Sequence, residues 1–121
     1  MNWEQEIQAK GLTAPRVTPE DIEANIAGEY YFRADEAVFG VACWGADNAV
    51  SVGNVVSDAP QELGLLTFCI LVLKNGFTVT GESACASPEN FDDELGRKIA
   101  RANAVSKMWP LMGYALKERL K

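Results

Sequence analysis

LLTFCILVLKNGFTVTGESACASPENFDDELGRKIARANAVSKMWPLMGY, residues 65–114, reads as strand, turn, strand, helix cap and long amphipathic helix. Leu65 to Lys74 and Phe77 to Ser83 are rich in β-branched and aromatic residues and flank Asn75-Gly76. That dipeptide is the strongest short hairpin signal, because a two-residue type I′ turn needs positive φ at both positions. Such a turn predicts Leu73 opposite Thr78, Val72 opposite Val79, Leu71 opposite Thr80 and Ile70 opposite Gly81. One face then carries Phe68, Ile70, Val72, Phe77 and Val79, and the other Leu65, Thr67, Cys69, Leu71 and Leu73. A strand apolar on both faces needs cover on both. One long helix covers one of the two; N-terminal elements or a second subunit must cover the other, which predicts a homo-oligomer.

The helix that follows announces its start. Ser87 is a capping residue, Pro88 suits the first helical position, and Glu89, Asp92, Asp93 and Glu94 favour the positive end of a helix dipole. Phe91, Leu95, Ile99, Ala102, Val105 and Trp109 then recur at steps of three and four, the spacing of a buried stripe. Ala100, Ala104 and Met108 form a second row of mostly small residues. Pro110 lacks the N–H that an α-helix needs, which predicts a kink or break at Trp109, with Leu111–Leu120 as a short final helix.

Working outward, Thr18-Pro19-Glu20-Asp21 is another helix start, with Ile22 and Ile26 on one face and a stop or kink near Gly28. Val38–Trp44 and Ala49–Val56 read as short strands around a Gly45–Asn48 loop, and Asp58-Ala59-Pro60 breaks the pattern. Within residues 1–17, Trp3–Lys10 spells either a short helix or a flexible tail. The expected architecture is α+β in a single domain, residues 1–121. A small antiparallel sheet, the hairpin Leu65–Ser83 plus short strands, packs on a long C-terminal helix and a short N-terminal helix.

Composition narrows the function. With 121 residues, 11 basic and 17 acidic, the net charge is -6. An acidic chain is a poor binder of DNA or RNA polymers, whose affinity comes from neutralised phosphates, yet a local basic pocket remains compatible with it. Three cysteines without paired spacing, and no signal-peptide pattern, point to a reduced intracellular setting without disulfides. The apolar run Leu63–Leu73 is too short to span a bilayer, so no membrane partner is expected. The chain contains no histidine. That removes His-based triads and imidazole metal sites, and it moves binding ahead of catalysis, with no cofactor or metal expected.

Few residues carry chemistry. Arg97 and Arg101 are four apart on one helix face and suit a phosphate clamp; the plainer reading pairs Asp93 with Arg97 and Glu94 with Lys98. Phe77 after the turn either stacks on a base or fills a core or subunit contact. Gly81–Cys85 permits close approach of a ligand or of the following helix. Cys85 without a histidine base reads as a structural thiol. Ser87 and Asn90 are polar groups at the helix start, and with Phe77, Arg97 and Arg101 they complete the candidate ligand-binding set.

These residues carry a resemblance. Gly76–Asp92, GFTVTGESACASPENFD, and more broadly Leu65–Leu116, resemble the phage protein family typified by gene 49 of phage N4 and gene 66 of phage Sf6. The same block is similar to phage Thoeris anti-defence sponges, which as multimers sequester cyclic ADP-ribose-type signals or cyclic oligonucleotides without catalysis. That likeness implies a small phosphorylated nucleotide ligand in the host bacterial cytoplasm and matches Phe77 to an aromatic contact. Ser87 departs from it, standing where an asparagine is expected; Arg97 and Arg101 are candidates by spacing alone. The alternative is an accessory protein acting through a host factor, with Leu71 an assembly position.

Overall fold

The computed structural model describes residues 3–48 and 61–121, the side chains of 42–48 apart. The strand expected at Ala49–Val56 and the break at Asp58–Pro60 lie outside the described residues. Helices α1 (Trp3–Ala9) and α2 (Pro19–Ala24) lead into strand β1 (Ile26–Arg33), then α3 (Ala34–Asn48). A 3₁₀ turn at Gln61–Leu65 precedes β2 (Leu66–Leu73) and β3 (Thr78–Ala84), and α4 (Asp93–Leu120) closes the chain. The sheet is antiparallel in the order β1-β2-β3. The α+β class and its packing on the long C-terminal helix stand as read from sequence.

The hairpin is real, but its loop is one residue longer than a type I′ turn. The Leu73 N–H donates to the Phe77 carbonyl at 2.8 Å, and the Gly76 N–H donates to the Leu73 carbonyl at 2.9 Å. The loop is therefore Lys74-Asn75-Gly76, with Gly76 at φ +90° and the Asn75 side chain accepting the Phe77 N–H at 2.9 Å. This is the three-residue alternative for Asn-Gly hairpins, with glycine in the left-handed position. The pairing slips by one, setting Leu71 opposite Val79, Ile70 opposite Thr80 and Cys69 opposite Gly81. Packing decides it: a one-residue shift exchanges the faces of β3, and only this register puts Val79 and Gly81 under α4.

The sequence reading missed β1. Residues 26–33 pair with β2 from Ile26 opposite Leu73 to Arg33 opposite Thr67, with a bulge at Ala27. Tyr30-Tyr31-Phe32 is a run of good strand formers, and it overrides the helical continuation past Asn25. α2 ends there with its cap intact: Thr18 and Asp21 exchange side chain–backbone hydrogen bonds in a capping box. The strand expected at Val38–Trp44, and the loop after it, are instead part of α3. Asp35 and Glu36 load the first turn of α3, and the Glu36 carboxylate accepts the Arg33 N–H at 2.8 Å. Those start signals outweighed the β-prone Val38, Phe39 and Val41.

α4 starts five residues later than the Ser87 cap predicted. Ser87 opens only a 3₁₀ turn, Pro88–Asn90, and makes no side-chain cap; Asp92 caps α4 by accepting the Leu95 N–H at 3.0 Å. The helix runs unbroken through Pro110 to Leu120, since the one lost hydrogen bond falls on a helix already anchored along the sheet. The buried row is the small one: Gly96, Ala100, Ala104 and Met108. It lies on Cys69, Leu71, Leu73 and Val79, with Ile22 at the margin. At Gly81 the backbones nearly touch, for a Cβ there would lie 2.2 Å from the Ala100 carbonyl oxygen and 2.3 Å from the Ala104 nitrogen. The small stretch Gly81–Cys85, at the end of β3, serves the helix, as one of its two readings held. Leu71, expected at an assembly surface, is fully buried in the subunit's own core.

Candidate functional site

Topology divides the candidate residues between two ends of α4. β3 runs away from the hairpin tip, so α4 begins at the far end of the sheet and its second half returns beneath the tip. Phe77 accordingly shares a hollow with Leu111, Met112 and Ala115. Arg97 precedes Leu111 by fourteen residues, about 21 Å at 1.5 Å per residue. The structure therefore does not unite Phe77 with Arg97 within one subunit, contrary to the picture of a tip delivered to the helix start.

At the start of α4 the arginines are already paired. Arg97 holds Asp93 at 3.1 Å, and its guanidinium carbon lies 5.6 Å from the centre of the Tyr31 ring, a cation–π contact. Lys98 pairs with Glu94 at 3.3 Å, so the plainer reading of this face holds. Arg101 is held more firmly, donating to Glu29 at 2.8 Å and to both oxygens of Glu23 at 3.0 and 2.7 Å. Those bonds hold both carboxyls below their ordinary range and raise the guanidinium further. The Tyr31 hydroxyl donates to Glu29 at 2.8 Å, and burial, reinforced by that carboxylate, pushes the phenol well up. The Ser87 hydroxyl engages Glu89, and Asn90 is exposed on the 3₁₀ turn. A phosphate arriving here must displace carboxylates.

The opposite end differs. Between the hairpin tip, α2 and the last turns of α4 lies a cleft of about 490 Å³ whose walls include Arg16, Asn25, Lys74, Asn75 and Arg119. A second hollow of about 240 Å³ shares Asn25, Asn75 and Met112 with it and adds Leu73, Leu111 and Phe77, whose ring is 55% exposed. Lys74 and Arg119 make no salt bridge among the described residues, whereas Arg16 is bidentate on Glu4 at 2.8 and 2.6 Å. The Asp21 carboxyl on the wall is held low by the Thr18 N–H and is spent in the capping box. Glu4 and Glu20 both act on Arg16, and Arg119 acts on Asp21, so three cations face three carboxylates in a chain of net charge -6. Locally the charges balance, beside an apolar, aromatic wall.

Of the sequence candidates only Phe77 lies here; Arg16, Asn25, Lys74 and Arg119 went unnoticed. One signal was present: a helix following a hairpin must start opposite its tip, so the partners of Phe77 had to come from the end of α4. Among the described residues, no helix is long and apolar enough to cross a membrane. Neither the curated proteins nor the solved structures yield a match to this chain. The family comparison does, over residues 17–120, covering β1, the hairpin and all of α4. The chain belongs to the phage protein (N4 Gp49/phage Sf6 gene 66) family.

Proposed function

We propose that the protein is a non-enzymatic phage counter-defence protein that sequesters a phosphorylated nucleotide signal, a cyclic ADP-ribose isomer or a cyclic oligonucleotide, in a homo-oligomer. The tip cleft carries this reading. It holds Lys74 and Arg119, which make no salt bridge among the described residues, and adjoins the hollow of the exposed Phe77 ring, and its volume lies within the range of small-ligand pockets. Phosphate and base are the two parts of a nucleotide that such walls recognise. A histidine-free chain agrees with trapping in preference to turnover.

The oligomer enters through distance. A site using both Phe77 and the resemblance-independent Arg97 must be built from two copies, the tip of one meeting the α4 start of another; Ser87, Asn90 and Arg101 then belong to the second wall. Thermal unfolding against cyclic ADP-ribose isomers and cyclic di- and trinucleotides tests the reading. A ligand at 100 times its Kd stabilises by about 2.7 kcal/mol. Phe77→Ala and the pair Lys74→Glu/Arg119→Glu should abolish the shift, and heating the complex should return intact ligand. No shift with any of them removes the proposal.

A second reading, docking on a host protein, draws on the outer face of the sheet. There Phe32 stacks on Phe68 with centroids 5.2 Å apart, and Tyr30 lies largely exposed. It predicts activity that survives the tip-cleft substitutions and fails with Tyr30→Asp.

A further inference from the structure

The tip cleft has a neighbour on each side. Toward the hairpin it shares Asn25, Asn75 and Met112 with the Phe77 hollow. Toward α1 it shares Arg16 and Val17 with a third hollow, of about 380 Å³. Trp3 and Trp109 line this third space with Val17 and Pro19, and its two charged groups, Glu4 and Arg16, are bound to each other. The two outer hollows have no residue in common. The order follows from α4, where each residue turns the helix by about 100°. Met112 of the middle cleft therefore projects between Trp109, roughly 60° to one side, and Leu111 of the Phe77 hollow, roughly 100° to the other. α1 buries none of its own residues and Trp3 is 79% exposed, so this indole borders a space that it does not fill.

We propose that the ligand carries two bases bridged by phosphates, a cyclic dinucleotide. One base lies on Phe77, the other at Trp3 and Trp109, and the phosphates occupy the cleft between them at Lys74 and Arg119. This rests on the nucleotide reading of the tip cleft and narrows it, since a cyclic ADP-ribose isomer has one base and leaves one aromatic hollow empty. Both outer hollows suit an uncharged flat ring. The Phe77 hollow has no charged residue in its wall, and in the third hollow the Glu4–Arg16 pair cancels. Stacking on aromatic side chains tolerates any base, because every base has a π face. Phosphates find cations without a salt bridge among the described residues only in the middle, at Lys74 and Arg119. Trp3, Glu4 and Arg16 precede residue 17, where the family match begins, so the second base site is built in part by a segment outside that match.

Calorimetric titration compares cyclic di-AMP and cyclic di-GMP with the one-base probes cyclic AMP and cyclic ADP-ribose. A two-base probe should bind at least about tenfold more tightly than either one-base probe. Trp3→Ala should remove that advantage and Trp3→Phe should retain it, both with unchanged helical circular dichroism because the side chain is exposed. In Trp44→Phe, which leaves Trp3 and Trp109 as the only indoles, the two-base probe should quench tryptophan fluorescence. Equal affinity for one-base and two-base probes, or two-base binding unmoved by Trp3→Ala, would overturn the second base site and leave nucleotide sequestration standing. No binding of any probe would overturn both.

Discussion

Gly81→Ala tests the contact on which the fold depends most. The added Cβ would sit 2.2 Å from the Ala100 carbonyl oxygen, 2.3 Å from the Ala104 nitrogen and 2.9 Å from the Ala104 Cα. Ordinary contact begins near 3.4 Å, so α4 must retreat by more than an ångström. All three neighbours are backbone, so no rotamer change relieves the clash. Retreat opens space over Cys69 and Leu71, which are now fully buried. Overpacking alone costs about 1–3 kcal/mol, and the added voids raise the expected loss to roughly 3 kcal/mol or more. For a domain whose whole stability is about 5–15 kcal/mol, the midpoint should fall by about 10–20 °C. Scanning calorimetry and urea unfolding read it directly. Trimming Ala100→Gly should not rescue the variant, because the obstruction is main chain. A midpoint within a few degrees of the parent would refute the account of how α4 is seated.

Thr67 presents the opposite case: its hydroxyl is buried with no hydrogen-bond partner among the described residues, so Thr67→Val should be neutral or stabilise by about 1 kcal/mol in urea unfolding. Gly76→Ala places a side chain at φ +90° and should cost about 1–2 kcal/mol by the same measurement. Glu23 and Glu29 have carboxyls depressed by Arg101, so their contribution is complete above the unfolded value of about 4.3 and is lost as pH falls through the folded values. Arg101→Met should therefore cost about 1 kcal/mol at pH 7, modest because the network is partly exposed, with the difference from the parent vanishing near pH 3. A difference that persists there would show that the arginine acts through packing alone.

How much was legible follows from where local signals and tertiary packing agree. Asn75-Gly76 marked the hairpin because positive φ is a property of the dipeptide itself. Its register was not legible, because the two- and three-residue loops differ only by what α4 then buries, and that contact involves residues twenty or more positions away. β1 was lost because Ile22 and Ile26 keep helical spacing up to the point where Tyr30-Tyr31-Phe32 takes over, and only pairing with β2 arbitrates. The two rows on α4 were both visible, yet the bulky one attracted the core assignment. What reversed them was Gly81, whose bare backbone admits alanines and no leucine. At the candidate site, Arg97 and Arg101 were found by spacing, which is blind to the carboxylates Glu23 and Glu29 contributed by α2 and β1. Lys74 and Arg119 carry no motif and gain meaning only when the chain brings them together.

Backbone amide NMR during nucleotide titration addresses the central claim most directly. On addition of the ligand selected by thermal unfolding, resonances of Asn25, Lys74, Asn75 and Phe77 should move together and saturate at one Kd, and Lys74→Glu/Arg119→Glu should erase the response. Saturable binding that leaves those four resonances in place would contradict the account.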